Sequence, residues 1–270
     1  MTSRFALCTL LALASACAAH RTTGARPEKA PLRAGLSVRA LAPETWVVTQ
    51  DEAHSSNVLV ARFSDGTVLL CSSPFDTDAT RALLAWVRRE LAPKRIVAIN
   101  THWHLDGTGG NEAYREAGVE VWSSAHTRAL LLERGERLRS EAAEGLAPDV
   151  AAHVRATAIV GAENVFEEAA GRGWAFGGER VEVRFPGAAH APDNVVVSIP
   201  SRALVFGGCM LKIGDSLGYL GDASLPTWEA ALDVVAAFAP KLVVPGHGAP
   251  GGAEIIDNTR RLVRAAVSSR

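Results

Sequence analysis

Arg95-Ile96-Val97-Ala98-Ile99-Asn100-Thr101-His102-Trp103-His104-Leu105-Asp106-Gly107-Thr108-Gly109-Gly110 sets an apolar, β-prone run before two histidines, an aspartate and a cluster of glycines. Imidazole and carboxylate are both zinc ligands. On an extended strand, side chains at alternate positions share a face but stand too far apart to hold one ion. A strand that ends at Asn100 and turns into a helix brings them to one centre. The segment therefore predicts a strand over 95–99, a ligand-bearing loop and a helix start. In layered α/β proteins, functional groups gather at junctions of this kind.

Three more junctions carry ligand-type side chains. His190 follows the alternating run Val181-Glu182-Val183-Arg184-Phe185, within Pro186-Gly187-Ala188-Ala189-His190-Ala191-Pro192-Asp193. Cys209 follows Ala203-Leu204-Val205-Phe206 and the pair Gly207-Gly208, and His247 follows Leu242-Val243-Val244 in Pro245-Gly246-His247-Gly248. A lone histidine is most simply a surface or satisfied core residue, and His20, His54, His126 and His153 are read that way. The six together, His102, His104, Asp106, His190, Cys209 and His247, predict a two-metal site.

The chain resembles the metallo-β-lactamases of the cysteine-containing subclass B1. The likeness rests on Thr101-His102-Trp103-His104-Leu105-Asp106, on Ala189-His190-Ala191-Pro192-Asp193-Asn194, and on Phe206-Gly207-Gly208-Cys209-Met210-Leu211-Lys212. Leu220-Gly221-Asp222-Ala223 and Pro245-Gly246-His247-Gly248 extend it, so that it runs from about Trp46 to the C-terminus. The resemblance implies an αββα sandwich, an α/β fold of two mixed β-sheets with helices on their outer faces. It implies two zinc ions, one on His102, His104 and His190 and the other on Asp106, Cys209 and His247. It also implies hydrolysis of the β-lactam amide by a metal-bound hydroxide, hence resistance to β-lactam antibiotics. Asp106, Lys212 and Tyr219 are the catalytic candidates. Lys212 would pair with the substrate carboxylate, and Tyr219 stands where this subclass usually has an asparagine that helps bind the substrate carbonyl.

Two more departures lie near the ligands. Ser72 replaces an aspartate that often supports the metal shell, and Gly107 stands where relatives often carry arginine. Two other readings compete. A thioesterase on the same fold usually has a histidine after the aspartate and an aspartate bridging the metals, where this chain has Gly107 and Cys209. A non-catalytic exported zinc-binding lipoprotein would be expected to close its metal with four protein ligands. Softer substrate contacts are Trp46, Phe75 and Trp103, with core packing the preferred role for Trp103, and a hairpin tip over 50–57 near the entrance.

The 270 residues are 48% apolar and carry a net charge of −1. Such a chain builds one sizeable core and lacks the basic footprint of a nucleic-acid binder. Residues 1–16 read as an export signal, with an apolar run from Phe5 to Ala16 that is too short to span a bilayer. Cys17 then offers two readings: the lipidated first residue of a lipoprotein, or an incidental cysteine after an ordinary secretory signal. The small residues around it favour the first, and either places the protein in the periplasm, the first as an outer-membrane lipoprotein. Residues 17–35 read as a flexible tether and 36–270 as a single domain, whose oligomeric state the sequence leaves open. Cys71 reads as a buried core residue and Cys209 as a thiolate ligand, so no disulfide is expected between them.

Within the domain, strands are expected at 36–42, 46–50, 57–63, 67–72, 95–99, 119–123, 173–176, 180–185, 195–199, 203–206 and 241–244. Helices are expected at about 76–91, 111–117, 227–238 and 253–267. From Ala125 to Glu168 the sequence predicts two or three helices broken near Gly135, Pro148 and Gly161, read as an outer layer, with an overhang above the site as the alternative.

Overall fold

The computed structural model describes residues 30–33, 35–52 and 55–269. The predicted signal, Cys17, most of the tether, His20 and His54 lie outside the described residues. No helix among the described residues is long and apolar enough to cross a membrane.

Eight strands lie side by side in chain order: β1 (Ala30–Arg33), β2 (Leu36–Ala42), β3 (Thr45–Gln50), β4 (Ser56–Arg62), β5 (Thr67–Cys71), β6 (Arg95–Ile99), β7 (Glu120–Ser124) and β8 (Asn164–Phe166). Pairing is antiparallel from β1 to β5 and parallel from β5 to β8. A second sheet comprises β9 (Arg172–Phe176), β10 (Glu179–Arg184), β11 (Val196–Ile199), β12 (Leu204–Gly208) and β13 (Leu242–Pro245). It is antiparallel except for the β12–β13 pair. The helices are α1 (Thr77–Trp86), continued by one π-helical turn (Val87–Leu91), α2 (Leu105–Thr108), α3 (Asn111–Glu116), α4 (Ala125–Ala142), α5 (Pro148–Ala156), α6 (Leu225–Ala236) and α7 (Glu254–Ser268).

Strict alternation along the inner strands decides the layering. Leu59 and Ala61, Leu69 and Cys71, and Val97 and Ile99 face the second sheet, where they meet Val181, Val183, Val197, Ile199 and Phe206. The intervening Val58, Val60, Val68, Leu70 and Ala98 face outward onto Leu83, Leu84 and Val87 of α1 and its π-turn and onto Tyr114 of α3. On the far side, Val196, Val205 and Val243 pack against Trp228, Leu232 and Val235 of α6 and Ile256 and Val263 of α7. A strand buried on both faces must be apolar at both parities, which explains the continuous apolar runs. The result is the expected αββα sandwich of two mixed sheets. Cys71 is a free thiol inside the inter-sheet core, and Cys209 is also unbridged.

Several expectations need correction. Strand β1 pairs with β2 inside the stretch read as tether. Gly135 does not break a helix: α4 runs unbroken from Ala125 to Ala142. Gly135 is buried where a Cβ would come within 2.7 Å of Ile159 Cγ2. Close packing there outweighs the roughly 1 kcal/mol that glycine costs in a helix. The chain after α5 forms the parallel strand β8 and a short 3₁₀ turn (Glu168–Ala170) rather than a third helix.

Candidate metal centre

The strand β6 ends at Ile99, and the next residues turn sharply enough to converge three side chains. Asn100 holds this turn by donating to the Gly107 carbonyl at 2.7 Å and by exchanging side-chain hydrogen bonds with Asn111. A Cβ at Gly107 would lie 2.5 Å from the His102 carbonyl oxygen. The close approach of chain to chain explains why glycine follows Asp106 here. Ser72, in the left-handed region at φ 71°, hydrogen-bonds Thr101 across 2.7 Å, one residue before the first ligand.

All six sequence-predicted ligands meet at one edge of the sandwich. The ligand atoms of His102, His104 and His190 lie within 4.8 Å of one another, and so do those of His102, Asp106 and Cys209. His247 joins the second group, with Nε2 3.2 Å from both Cys209 Sγ and Asp106 Oδ2. Its Nδ1 donates to the Ser55 carbonyl, which leaves Nε2 facing the cluster. Ser55, within the stretch read as a hairpin tip, therefore contacts a ligand, although none of the described residues of that stretch lines the cavity. Asn57 strengthens that contact by donating to the carbonyls of Pro245 at 2.9 Å and Gly248 at 2.7 Å.

The donor set fits a divalent cation. His190 Nδ1 is buried without a hydrogen-bond partner, an arrangement that is unfavourable unless another group satisfies such an atom. Burial opposes ionisation of Asp106, but the His102 charge and hydrogen bonds from His102 and His247 hold its carboxyl well below the usual range. Burial likewise disfavours charge on His102 and His247, yet Asp106 and Cys209 raise both imidazoles well above their ordinary value. The Cys209 thiol is pushed up by burial and by Asp106, and His247 and His102 overcome this to lower it. Imidazolium protons thus occupy the place where a metal would supply positive charge.

Behind the ligands lies a carboxylate that the sequence reading quoted without giving it a role. His104 Nε2 donates to Asp222 Oδ2 at 3.0 Å, leaving Nδ1 for the cluster. The signal was present in the Leu220-Gly221-Asp222 stretch, but nothing local to it points to His104.

In front of the ligands opens a cavity of about 410 Å³ lined by His104, Asp106, His190 and His247, with Phe75, Lys212 and Tyr219 at its walls. Lys212 is pinned through its backbone to α7, its N–H donating to Thr259 Oγ1 at 2.8 Å. Burial lowers its ammonium pKa, opposed by Cys209 and Asp106. The Tyr219 ring stands edge-on to His104, centroids 5.7 Å apart, and burial together with the nearby Asp222 charge raises its phenol pKa. Leu138, Glu141 and Ala142 at the end of α4 also line the cavity, so the overhang is the correct alternative for this segment. Of the softer substrate contacts, only Phe75 lines the cavity. Trp46 stacks edge-on against Trp86 on the outer face of the first sheet, and Trp103 is buried with Leu130 and Leu131 of α4. His126 and His153 pair with Glu168 and Asp78 outside the cluster.

Residues 51–247 match the family described as the metallo-beta-lactamase superfamily. The chain is 30% identical over 204 residues to a metallo-beta-lactamase type 2 from Bacteroides fragilis, covering 74% of this chain and 72% of that one. It is also 30% identical over 243 residues to a metallo-beta-lactamase type 2 from Bacillus cereus, covering 85% and 83%. Among solved structures, the mono-zinc form of the metallo-beta-lactamase FIM-1 from Pseudomonas aeruginosa superposes with a TM-score of 0.70 at 26% identity. That match covers 90% of this chain and 99% of the other.

Proposed function

The chain belongs to the metallo-β-lactamase superfamily, and from that membership we propose that it is a subclass B1 enzyme binding two zinc ions and opening the four-membered ring of β-lactam antibiotics. The observation that carries this reading is the meeting of the three-histidine group with Asp106 and Cys209 beside a cavity that His104, Asp106, His190, His247 and Lys212 line. His102, His104 and His190 would hold one ion, and Asp106, Cys209 and His247 the other. Zinc in such sites activates water at neutral pH and polarises the amide carbonyl.

The chain's own residues supply the rest. Asp106 lies between the two groups, its Oδ1 3.2 Å from His102 Nε2 and its Oδ2 facing Cys209 and His247. From there its carboxylate can accept a hydrogen bond from the attacking water and fix its direction. Lys212 presents an ammonium at the cavity wall, and the carboxylate of a penicillin or cephalosporin nucleus is the group it would pair with. Phe75, Leu138 and Ala142 add apolar wall and exclude water from the bound ring system. Export to the periplasm, with Cys17 as a lipid anchor, would place the enzyme where these drugs act. That part of the proposal rests on the N-terminal sequence alone.

A chromogenic cephalosporin tests the reading. Turnover that a chelator abolishes and added zinc restores is the expected result. A fully zinc-loaded protein inert on a panel of penicillins, cephalosporins and carbapenems would overturn it.

A further inference from the structure

Asn57 belongs to β4 of the first sheet, and its hydrogen bonds cross to the second. Its backbone N–H donates to the Gly246 carbonyl at 2.8 Å. Its Nδ2 donates to two more carbonyls of the loop that carries His247, Pro245 at 2.9 Å and Gly248 at 2.7 Å. Its Oδ1 accepts from Thr49 Oγ1 at 2.9 Å, so the buried amide is committed at both ends. Carbonyl oxygens only accept, which fixes the orientation of the amide. The same loop is bound to Cys209. The Gly246 N–H donates to the Gly208 carbonyl at 2.8 Å. A Cβ at Gly246 would lie 2.7 Å from the Cys209 backbone nitrogen and closer still to Sγ.

We propose that Asn57 is a positioning residue for the second metal group, fixing how His247 and Cys209 stand against Asp106. The inference rests on the metal-dependent reading of the site. Asp106 follows β6 in the first sheet, whereas Cys209 and His247 follow β12 and β13 in the second. An ion shared by all three needs the sheets held at one separation along this edge, and Asn57 is a buried tie between them there. It also anchors the chain beside Ser55, whose carbonyl accepts from His247 Nδ1. That outer partner sets the ring orientation and leaves Nε2 for ligation. The three-histidine group has a tie of its own. The Val195 N–H, at the end of the loop that bears His190, donates at 2.8 Å to the carbonyl of Thr101, next to His102. Separate ties give separate effects: loss of the Asn57 amide loosens the second group and spares the first.

The test is titration of the metal-free full chain with Co2+, parent against Asn57→Asp. Thiolate-to-cobalt charge-transfer absorption reports the ion beside Cys209, and ligand-field bands without it report the three-histidine group. Asn57→Asp keeps the size, the Thr49 contact and the backbone N–H, but sets an oxygen against two carbonyls. It is expected to weaken binding at the Cys209 site about tenfold or more, with less than about a twofold change at the three-histidine site. Thr49→Val removes only the hydroxyl that braces Asn57, and is expected to give a smaller loss at the same site; it reads the tie if Asn57→Asp does not fold. Unchanged affinity at the Cys209 site would overturn the proposal. So would an equal loss at both sites, which would mark a general loosening of the fold. The titration needs no lactam, so a metal-loaded protein inert on every lactam sinks the functional reading without touching this one. A parent chain that binds no cobalt at Cys209 sinks both.

Discussion

Cys209 Sγ lies 2.7 Å from Asp106 Oδ2, the thiol donating to the carboxylate. Both residues are buried and both are anionic as ligands, so the contact is stable only with a proton or a cation between them. Cys209→Ser keeps the size but removes the soft donor. It should lower affinity for the second metal by about tenfold or more and cut turnover steeply at limiting zinc. Metal stoichiometry and kcat/KM measured against free zinc check this, and kinetics identical to the parent enzyme would exclude a ligand role.

Metal uptake should release protons. Asp106 and Cys209 raise His102 and His247 well above the usual imidazole value despite burial, which favours protons on both in the metal-free protein. Calorimetric titration with zinc in two buffers of different ionisation enthalpy should show release of about one to two protons at pH 7. The same ion pairs stabilise the metal-free fold within a window. Their imidazolium contribution is lost as pH rises through the raised folded pKa values. The Asp106 contribution, with its lowered pKa, is lost as pH falls through its folded value. Zinc binding without proton release would contradict this charge arrangement.

Lys212→Ala should act on binding. The ammonium is buried at the cavity wall, and loss of one charge-assisted contact of about 1.4 kcal/mol raises KM roughly tenfold with kcat nearly unchanged. A variant that lowered kcat alone would argue against carboxylate recognition.

The end of α4 should set substrate size. Ala142→Trp projects an indole into a cavity of about 410 Å³. It is expected to raise KM for lactams with bulky side chains by about tenfold while leaving zinc content intact. Equal KM for large and small lactams would show that α4 does not bound the bound drug.

Gln50 ties the end of β3 to the cavity wall. Its amide donates to Asp76 Oδ2 at 2.7 Å, and its carbonyl accepts from the Phe75 N–H at 2.8 Å. Gln50→Ala removes two buried hydrogen bonds, one of them to a carboxylate, and should destabilise the fold by about 2–4 kcal/mol. For a domain of this size that is a fall in Tm of about 5–15 °C. Thermal unfolding of the two proteins decides it, an unchanged Tm being the contrary result.

Much of this architecture was legible residue by residue. The segment Val97-Ala98-Ile99 reads as a strand because a two-sided buried strand has to be apolar throughout. His102, His104 and Asp106 read as ligands because donor residues crowd where that strand ends. Local misreadings arose where packing overrode propensity. Gly135 reads as a helix breaker, yet it lies mid-helix under Ile159. Trp46 reads as a surface for a ligand, yet it is packed against Trp86.

The sequence by itself determined most of the strands and the six ligand types, because apolar patterning and strand-end chemistry act over a few residues. Only the tertiary structure decided which side chains serve those ligands. His104 and Asp222 are 118 positions apart, and α4 reaches the cavity only because Leu130, Leu131 and Leu138 pack over the ligand loop around Trp103. Side chains brought together by the docking of whole elements leave no periodic trace in the chain, since the requirement falls on a distance in space and not on an interval in sequence.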